Sequence, residues 1–254
     1  MKAMILAAGR GERMRPITDK LPKPLLPVAG KPLIVHHIER LAQAGFRELV
    51  INHAHLGEMI ESALGDGNTW GVEIRYSAER VALETGGGIY HALPLLGEAP
   101  FLVVNGDIWC DIDYGRLSLR RDDMAHLVLV PNPQHNQRGD FTLQQGRVIQ
   151  GEEERLTFSG IGIYDPAMFA SCRPTAFPLA PLLRSMMERG LVSGECYPGR
   201  WMDVGTPLRL AELKRLVMEE NHGGSSLTPG NTCHRGDLPA TEAFESREKP
   251  WDKK

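Results

Sequence analysis

Glycine, arginine and lysine gather near the start of this 254-residue chain in a pattern suited to holding phosphate. Gly9-Arg10-Gly11-Glu12-Arg13-Met14-Arg15 supplies glycines that let the backbone approach a ligand, and its consecutive N–H groups can form an anion-binding nest. Arg10, Arg13 and Arg15 add guanidinium groups, which grip phosphate with two parallel hydrogen bonds. Pro22-Lys23-Pro24 then fixes one lysine between two rigid residues, so less entropy is lost when it meets an anion. Far along the chain stand two acids, Asp107 after Val104-Asn105-Gly106 and Asp203 within Trp201-Met202-Asp203-Val204-Gly205-Thr206. Carboxylates are the hard oxygen ligands that Mg²⁺ takes, commonly one or two of them together with substrate phosphates. The chemistry to expect is transfer between two polyanions that need neutralising and aligning.

Rival motifs fail on particular residues. A dinucleotide fingerprint needs a sixth-position glycine where Met14 stands, and an acid after the second strand, where Asn52-His53 stands. No GxxxxGK[ST] loop occurs. His53-x-His55 lacks a third ligand nearby, so no zinc site is expected. Asp111 and Asp113 read as turn or capping residues.

These groups need a scaffold, and the first half of the chain predicts one. Met4 to Ala8, Glu48 to Asn52, Val72 to Tyr76 and Phe101 to Asp107 read as strands. They alternate with helices over Lys31–Ala44 and Leu56–Leu64, and a third opening at Gly88. That alternation predicts parallel pairing with right-handed crossovers, and ligands in such sheets bind beyond the carboxyl ends of the strands. The Gly9 loop and Asp107 both fall at that edge. The second half predicts short strands over His126–Val130, Phe141–Leu143, Arg147–Ile149 and Phe158–Tyr164, then helices over Leu179–Glu188 and Pro207–Glu220. From about Asn221 the chain turns polar and is expected to be a disordered tail, 221–254, behind a single domain over 1–220.

Hydrophobic residues make up 42% and charged residues 24%, with a net charge of -3, so a globular domain is expected and a nucleic-acid partner is not. The apolar start, Met1 to Ala8, is too short for a signal peptide, and no apolar run reaches membrane-spanning length. Cys110, Cys172, Cys196 and Cys233 form no close pair, and free thiols in the cytoplasm are expected. A monomer is favoured.

Leu6-Ala7-Ala8-Gly9-Arg10-Gly11-Glu12-Arg13-Met14-Arg15-Pro16, followed by Lys20-Leu21-Pro22-Lys23-Pro24-Leu25-Leu26, resembles the signature of the sugar-1-phosphate nucleotidyltransferases. Glu84-Thr85-Gly86-Gly87, Val104-Asn105-Gly106-Asp107 and Trp201 to Thr206 resemble the later motifs of that family, in the same order, so the likeness runs from Met1 to about Glu220. It implies a Rossmann-like α/β fold of the GT-A type: a mostly parallel central sheet flanked by helices, with a small β-rich sugar-binding part. It also implies that Ala7, Ala8, Gly9 and Gly11 bind the nucleotide and that Arg13 and Lys23 are catalytic. Glu79, Thr85 and Gly86 would read the base; Asn105, Gly139, Asp140 and Glu152 would bind the sugar; Asp107 and Asp203 would hold Mg²⁺. The partners implied are a nucleoside triphosphate and a sugar 1-phosphate. Within the family the wording is similar to N-acetylmuramate-1-phosphate uridylyltransferases of bacterial cell-wall recycling. Mannose-1-phosphate guanylyltransferases are the alternative, and a sensor without turnover a remote one. Glu79 departs from the glutamine of several uridylyl and thymidylyl members. Arg138 and Arg155 replace the family's usual residues near the sugar, where either is a candidate to pair with the lactyl carboxylate of muramic acid.

Overall fold

The computed structural model describes residues 1–221, so the polar stretch expected beyond them lies outside the described residues. Strand β1 (Ala3–Leu6) is buried on both sides, with Ala3, Met4 and Ile5 fully inaccessible. The chain then crosses three short 3-10 turns to a small ribbon, β2 (Pro27–Val28) and β3 (Lys31–Pro32). Helix α1 (Leu33–Gln43) buries the apolar stripe Leu33, Ile34, Ile38 and Leu41, each such side chain contributing roughly 1.5–3 kcal/mol. The alternation continues through β4 (Glu48–His53), α2 (Gly57–Leu64), β5 (Glu73–Ala78), α3 (Glu84–Leu96) and β6 (Phe101–Asn105).

Strands β5, β4, β1 and β6 lie side by side in that order and run parallel, as the alternation predicts. The chain goes outward from β1 to β4 and β5 and then returns to place β6 on the other side of β1. That reversal opens a crevice at the strand ends. Its register sets Leu6 level with Asn52 on one side and Asn105 on the other.

Helix α3 starts at Glu84, not at Gly88. Three glycines in its first turns disfavour a helix there by propensity, since each is roughly 1 kcal/mol worse than alanine. Tertiary packing overrides this. A Cβ on Gly86 would sit 2.4 Å from the Phe177 ring, and one on Gly87 would sit 2.5 Å from the Thr175 carbonyl oxygen. Helix α3 docks closely because those side chains are missing.

The remaining elements are β7 (Ile108–Cys110), β8 (Ala125–Val130), β9 (Phe141–Gln144), β10 (Arg147–Ile149), β11 (Arg155–Tyr164), α4 (Leu179–Glu188), β12 (Val192–Cys196), β13 (Trp201–Asp203) and α5 (Pro207–Asn221). Strands β8 to β12 extend the first four into one nine-stranded sheet in the order β5-β4-β1-β6-β11-β8-β12-β10-β9, with β11 antiparallel to both β6 and β8. The expected strand up to Asp107 ends two residues early, and a separate short strand starts just beyond it. β6 stops at Asn105, and β7 leaves the sheet to pair with β13. One apolar cluster lies under α1 and α2, a second under α3 and α4, and a third joins α5 to Met14, Leu26 and Trp109.

Cys110 and Cys172 are free thiols, but Cys196 is disulfide-bonded, which corrects the expectation of unpaired cysteines at that position. Among the described residues no helix is long and apolar enough to cross a membrane.

Candidate active site

A cleft of about 420 Å³ opens where β1, β4 and β6 end, and it brings Ala7, Ala8, Gly9, Gly11, Arg13, Lys23, Thr85, Asn105 and Asp107 to one wall-to-wall space. Gly11 adopts φ 69, the left-handed region open to glycine, and a Cβ there would meet Thr18 Cγ2 at 2.9 Å. The Thr18 hydroxyl donates to the Gly11 carbonyl at 2.8 Å and pins the loop. Lys23 is 7% exposed, and its ammonium lies 2.6 Å from Asp107 Oδ2. A buried ammonium needs such a partner, because an unpaired charge away from water costs several kcal/mol.

The ribbon of β7 and β13 joins the two acids. The Val204 N–H donates to the Asp107 carbonyl at 2.7 Å, and Asp203 lies opposite Ile108. Both acids line one space of about 330 Å³ together with Arg13, Asn105 and His135. Asp203 Oδ1 accepts from Arg209 Nη1 at 2.7 Å, and His135 Nε2 lies 2.9 Å from the same oxygen. Asp107 Oδ1 and Asp203 Oδ2 have no hydrogen-bond partner among the described residues. The donor set fits a magnesium ion, which takes a pair of carboxylates and leaves its other positions to phosphate oxygens and water. Behind Asp107, the buried His37 ring bridges Tyr114 Oη at 3.0 Å and the Ile108 carbonyl at 2.7 Å, tying α1 to β7. Burial pushes its pKa down to about 4, against the opposing effect of that carbonyl.

The three residues expected to read the base, Glu79, Thr85 and Gly86, stand in different surroundings. Glu79 is 6% exposed, with both carboxylate oxygens engaged by protein donors, Asn52 Nδ2 at 2.6 Å and the Leu83 N–H at 2.9 Å. Its carboxylate is thus held within the protein and does not line this cleft, although Glu79 borders the neighbouring cavity with Arg80 and Leu83. Asn52, which the sequence offered only as a non-acid, lines the cleft itself. Thr85 reaches the cleft, whereas Gly86 is buried against Phe177 and is absent from its lining.

A second cavity, about 400 Å³, shares Leu6, Thr85 and Asn105 with the first and holds Gly139, Asp140, Phe158, Tyr164, Arg155 and Arg184. Gly139 has φ 62, and a Cβ there would sit 2.7 Å from the Arg155 backbone. The Asp140 carboxylate accepts the Phe158 N–H at 2.9 Å, so it braces the wall as well as lining it. Glu152 is exposed and absent from this lining, and so is Arg138; of the two arginines singled out, Arg155 reaches the cavity. The register of β11 against β8 shifts between Phe158 and Ile161. There Gly160, at φ 81, makes room for Asn105, whose Nδ2 would lie 2.5 Å from an added Cβ. A glycine inside an apolar strand pattern, as at Gly160, is the signal that marks such a bulge. The Ser159 carbonyl, at the same bulge, accepts from Trp201 Nε1 at 2.8 Å, which anchors β13 beside the acids. For His135 and Arg209 no local signal exists.

The family model for nucleotidyl transferases matches residues 2–220. The chain is 56% identical over 227 residues to the N-acetylmuramate alpha-1-phosphate uridylyltransferase of Neisseria meningitidis serogroup B, covering 85% of this chain and 98% of the relative. It is 37% identical over 233 residues to the protein of the same name from Caulobacter vibrioides, covering 85% and 96%. A crystal structure assigned as a glucose-1-phosphate thymidylyltransferase from Bacillus anthracis, holding sucrose, superimposes with a TM-score of 0.76 at 24% identity, over 85% of this chain and 94% of that one. At that identity the structural likeness speaks for the fold alone.

Proposed function

We propose that this chain, which belongs to the nucleotidyl transferase family, transfers a uridylyl group from UTP to N-acetylmuramic acid 1-phosphate, giving UDP-N-acetylmuramic acid and pyrophosphate. The observation that carries the reading is the meeting of two cavities at Asn105. One holds Arg13, Lys23 and Asp107, and the other holds Arg155 and Arg184. The first suits a triphosphate. The second suits a sugar with a carboxylate of its own, because a guanidinium pairs well with that group. The 56% identical Neisseria relative bears the name of this activity.

In the reaction, a phosphate oxygen of the sugar 1-phosphate attacks the α-phosphorus. A new O–P bond forms there, and the bond from the α-phosphorus to the bridging oxygen breaks, releasing pyrophosphate. The nucleophile is already ionised, so no side chain has to take a proton from it. The work of the protein is placement and charge neutralisation. The glycine loop brings backbone N–H groups to the phosphates, Arg13 neutralises the departing pyrophosphate, and Lys23 meets the oxygens of the phosphorus under attack. Asp107 and Asp203 would hold Mg²⁺, which when bound would supply Lewis-acid stabilisation of the phosphate charge. Lys23 then exchanges its Asp107 partner for a phosphate oxygen. The reading places the enzyme in the cytoplasm, where UTP is available, in the recycling of peptidoglycan sugars.

The test is pyrophosphate release from UTP with a panel of sugar 1-phosphates, and from GTP with mannose 1-phosphate as the contrast. Turnover is expected with N-acetylmuramic acid 1-phosphate and UTP, and EDTA is expected to stop it. Preference for GTP with mannose 1-phosphate would overturn the substrate assignment.

A further inference from the structure

A chain of four polar positions runs behind the cleft wall. The Ala7 N–H donates to Asn52 Oδ1 at 2.9 Å, and Asn52 Nδ2 donates to Glu79 Oε1 at 2.6 Å. The Leu83 N–H closes the chain on Glu79 Oε2 at 2.9 Å. Asn52 is 2% exposed and Glu79 6% exposed. The chain spans the ends of β1, β4 and β5 and the turn that leads into α3, so it holds together the segments that carry Ala7, Ala82 and Thr85 into the cleft. Its packing leaves no slack. A Cβ on Gly88 would lie 2.8 Å from both Asn52 Nδ2 and Glu79 Oε1.

The donor pattern permits few residue pairs. Both ends of the chain are backbone N–H groups, so both outer side-chain positions must accept, and the two inner positions must be one donor and one acceptor. Asn52 with Glu79 satisfies this. An amide at both positions does not. If Glu79 became glutamine, its oxygen facing Leu83 would turn its NH₂ onto the NH₂ of Asn52, and reversing either amide moves the same conflict to a backbone N–H. Carboxylates at both positions place two acceptors face to face. The exchanged pair, aspartate at position 52 with glutamine at position 79, is the other arrangement that works, with the same total charge and the acid moved to β4.

Resting on the nucleotide reading above, we propose that Asn52 and Glu79 are a positioning pair that shapes the base-reading wall of the cleft and sets nucleotide affinity and selectivity without touching the reacting atoms. With each Glu79 oxygen held by a protein donor, the carboxylate acts on the wall through Asn52 and the Leu83 N–H.

The test is a cycle of E79Q, N52D and the double variant N52D/E79Q, read as KM for UTP, KM for the sugar 1-phosphate, kcat and Tm. E79Q and N52D each leave one buried conflict, and KM for UTP is expected to rise on the order of tenfold or more. The sugar phosphate KM and kcat stay within about threefold, and the double variant returns KM for UTP to within about threefold of the parent, as direct coupling requires. If N52D fails to fold, E79Q and the double variant carry the comparison. An unchanged KM for UTP in E79Q with a lowered Tm would make the pair structural only and overturn the proposal, as would a double variant no better than E79Q. Failure of the parent to release pyrophosphate from UTP with any sugar 1-phosphate defeats the functional reading itself and this inference with it. An active parent with an unresponsive cycle defeats the inference alone.

Discussion

Lys23 and Asp107 link the N-terminal loop directly to the acidic ribbon, at 2.6 Å, and the proposed reaction gives the two opposite duties. Lys23→Ala should lower kcat by about 10²- to 10³-fold, the typical cost of removing one positioned charge at a transferring group. Asp107→Asn and Asp203→Asn should each cause a comparable loss and shift the Mg²⁺ titration to higher concentration. A titration that stays in place would remove that carboxylate from the proposed metal site. Arg155 lines the second cavity, which the proposed function assigns to the sugar. Its replacement by alanine should raise KM for N-acetylmuramic acid 1-phosphate by about 10- to 100-fold, the equivalent of a lost charge-assisted hydrogen bond. A hexose 1-phosphate without a carboxylate should bind as before. Equal losses for both sugars would mean that Arg155 only braces the loop through the Gly151 carbonyl and Gly139.

At the scale of elements, close docking decides where the site residues stand. Helix α3 reaches Thr175 and Phe177 through bare glycine backbone, and the Gly87 N–H donates to the Phe177 carbonyl at 3.0 Å. A glycine in a helix interior is normally improved by alanine by roughly 1 kcal/mol. Here the sign should reverse. The added methyl of Gly87→Ala meets a backbone carbonyl at 2.5 Å, and overpacking of this kind costs about 1–3 kcal/mol. Chemical denaturation should show a lower midpoint with an unchanged slope. A stabilised variant would show that α3 is free to move, and the Thr85 position would then not be fixed by this contact.

Across the whole molecule, α1, the sheet and the β7–β13 ribbon are joined through buried polar groups, and among these His37 is strongly perturbed by burial. Its folded pKa of about 4 lies below its ordinary 6.5. The unfolded chain therefore binds the proton first, and the stability this group confers is complete above about pH 6.5 and lost as the pH falls towards 4. The loss from this residue is on the order of 3 kcal/mol. His36 is shifted in the same direction, mainly by burial, and adds to it. Urea midpoints should hold between pH 7.5 and about 6.5 and fall from there to pH 4.5, and a flat profile over the lower range would count against a neutral buried His37.

By itself the sequence determined the alternation of the first four strands, the glycine–arginine loop at their carboxyl edge, and the fixing of Lys23 between two prolines. These are local properties: hydrophobic period, turn chemistry and residue type within a few positions of one another. It also identified Asp107 and Asp203 as acids of interest, because their motifs are short and continuous. Only the tertiary structure decided what surrounds them. His135 and Arg209 meet Asp203, Asn52 holds Glu79 away from the cleft, and Gly160 on β11 admits Asn105, all through contacts that no local pattern encodes. Glu79 and Glu152 show the difference. Both are glutamates beside plausible motifs, but one is folded into a buried hydrogen-bond chain and the other is left in solvent. A side chain's partners depend on how strands distant in sequence are brought into register, and that register is fixed by the packing of the whole sheet.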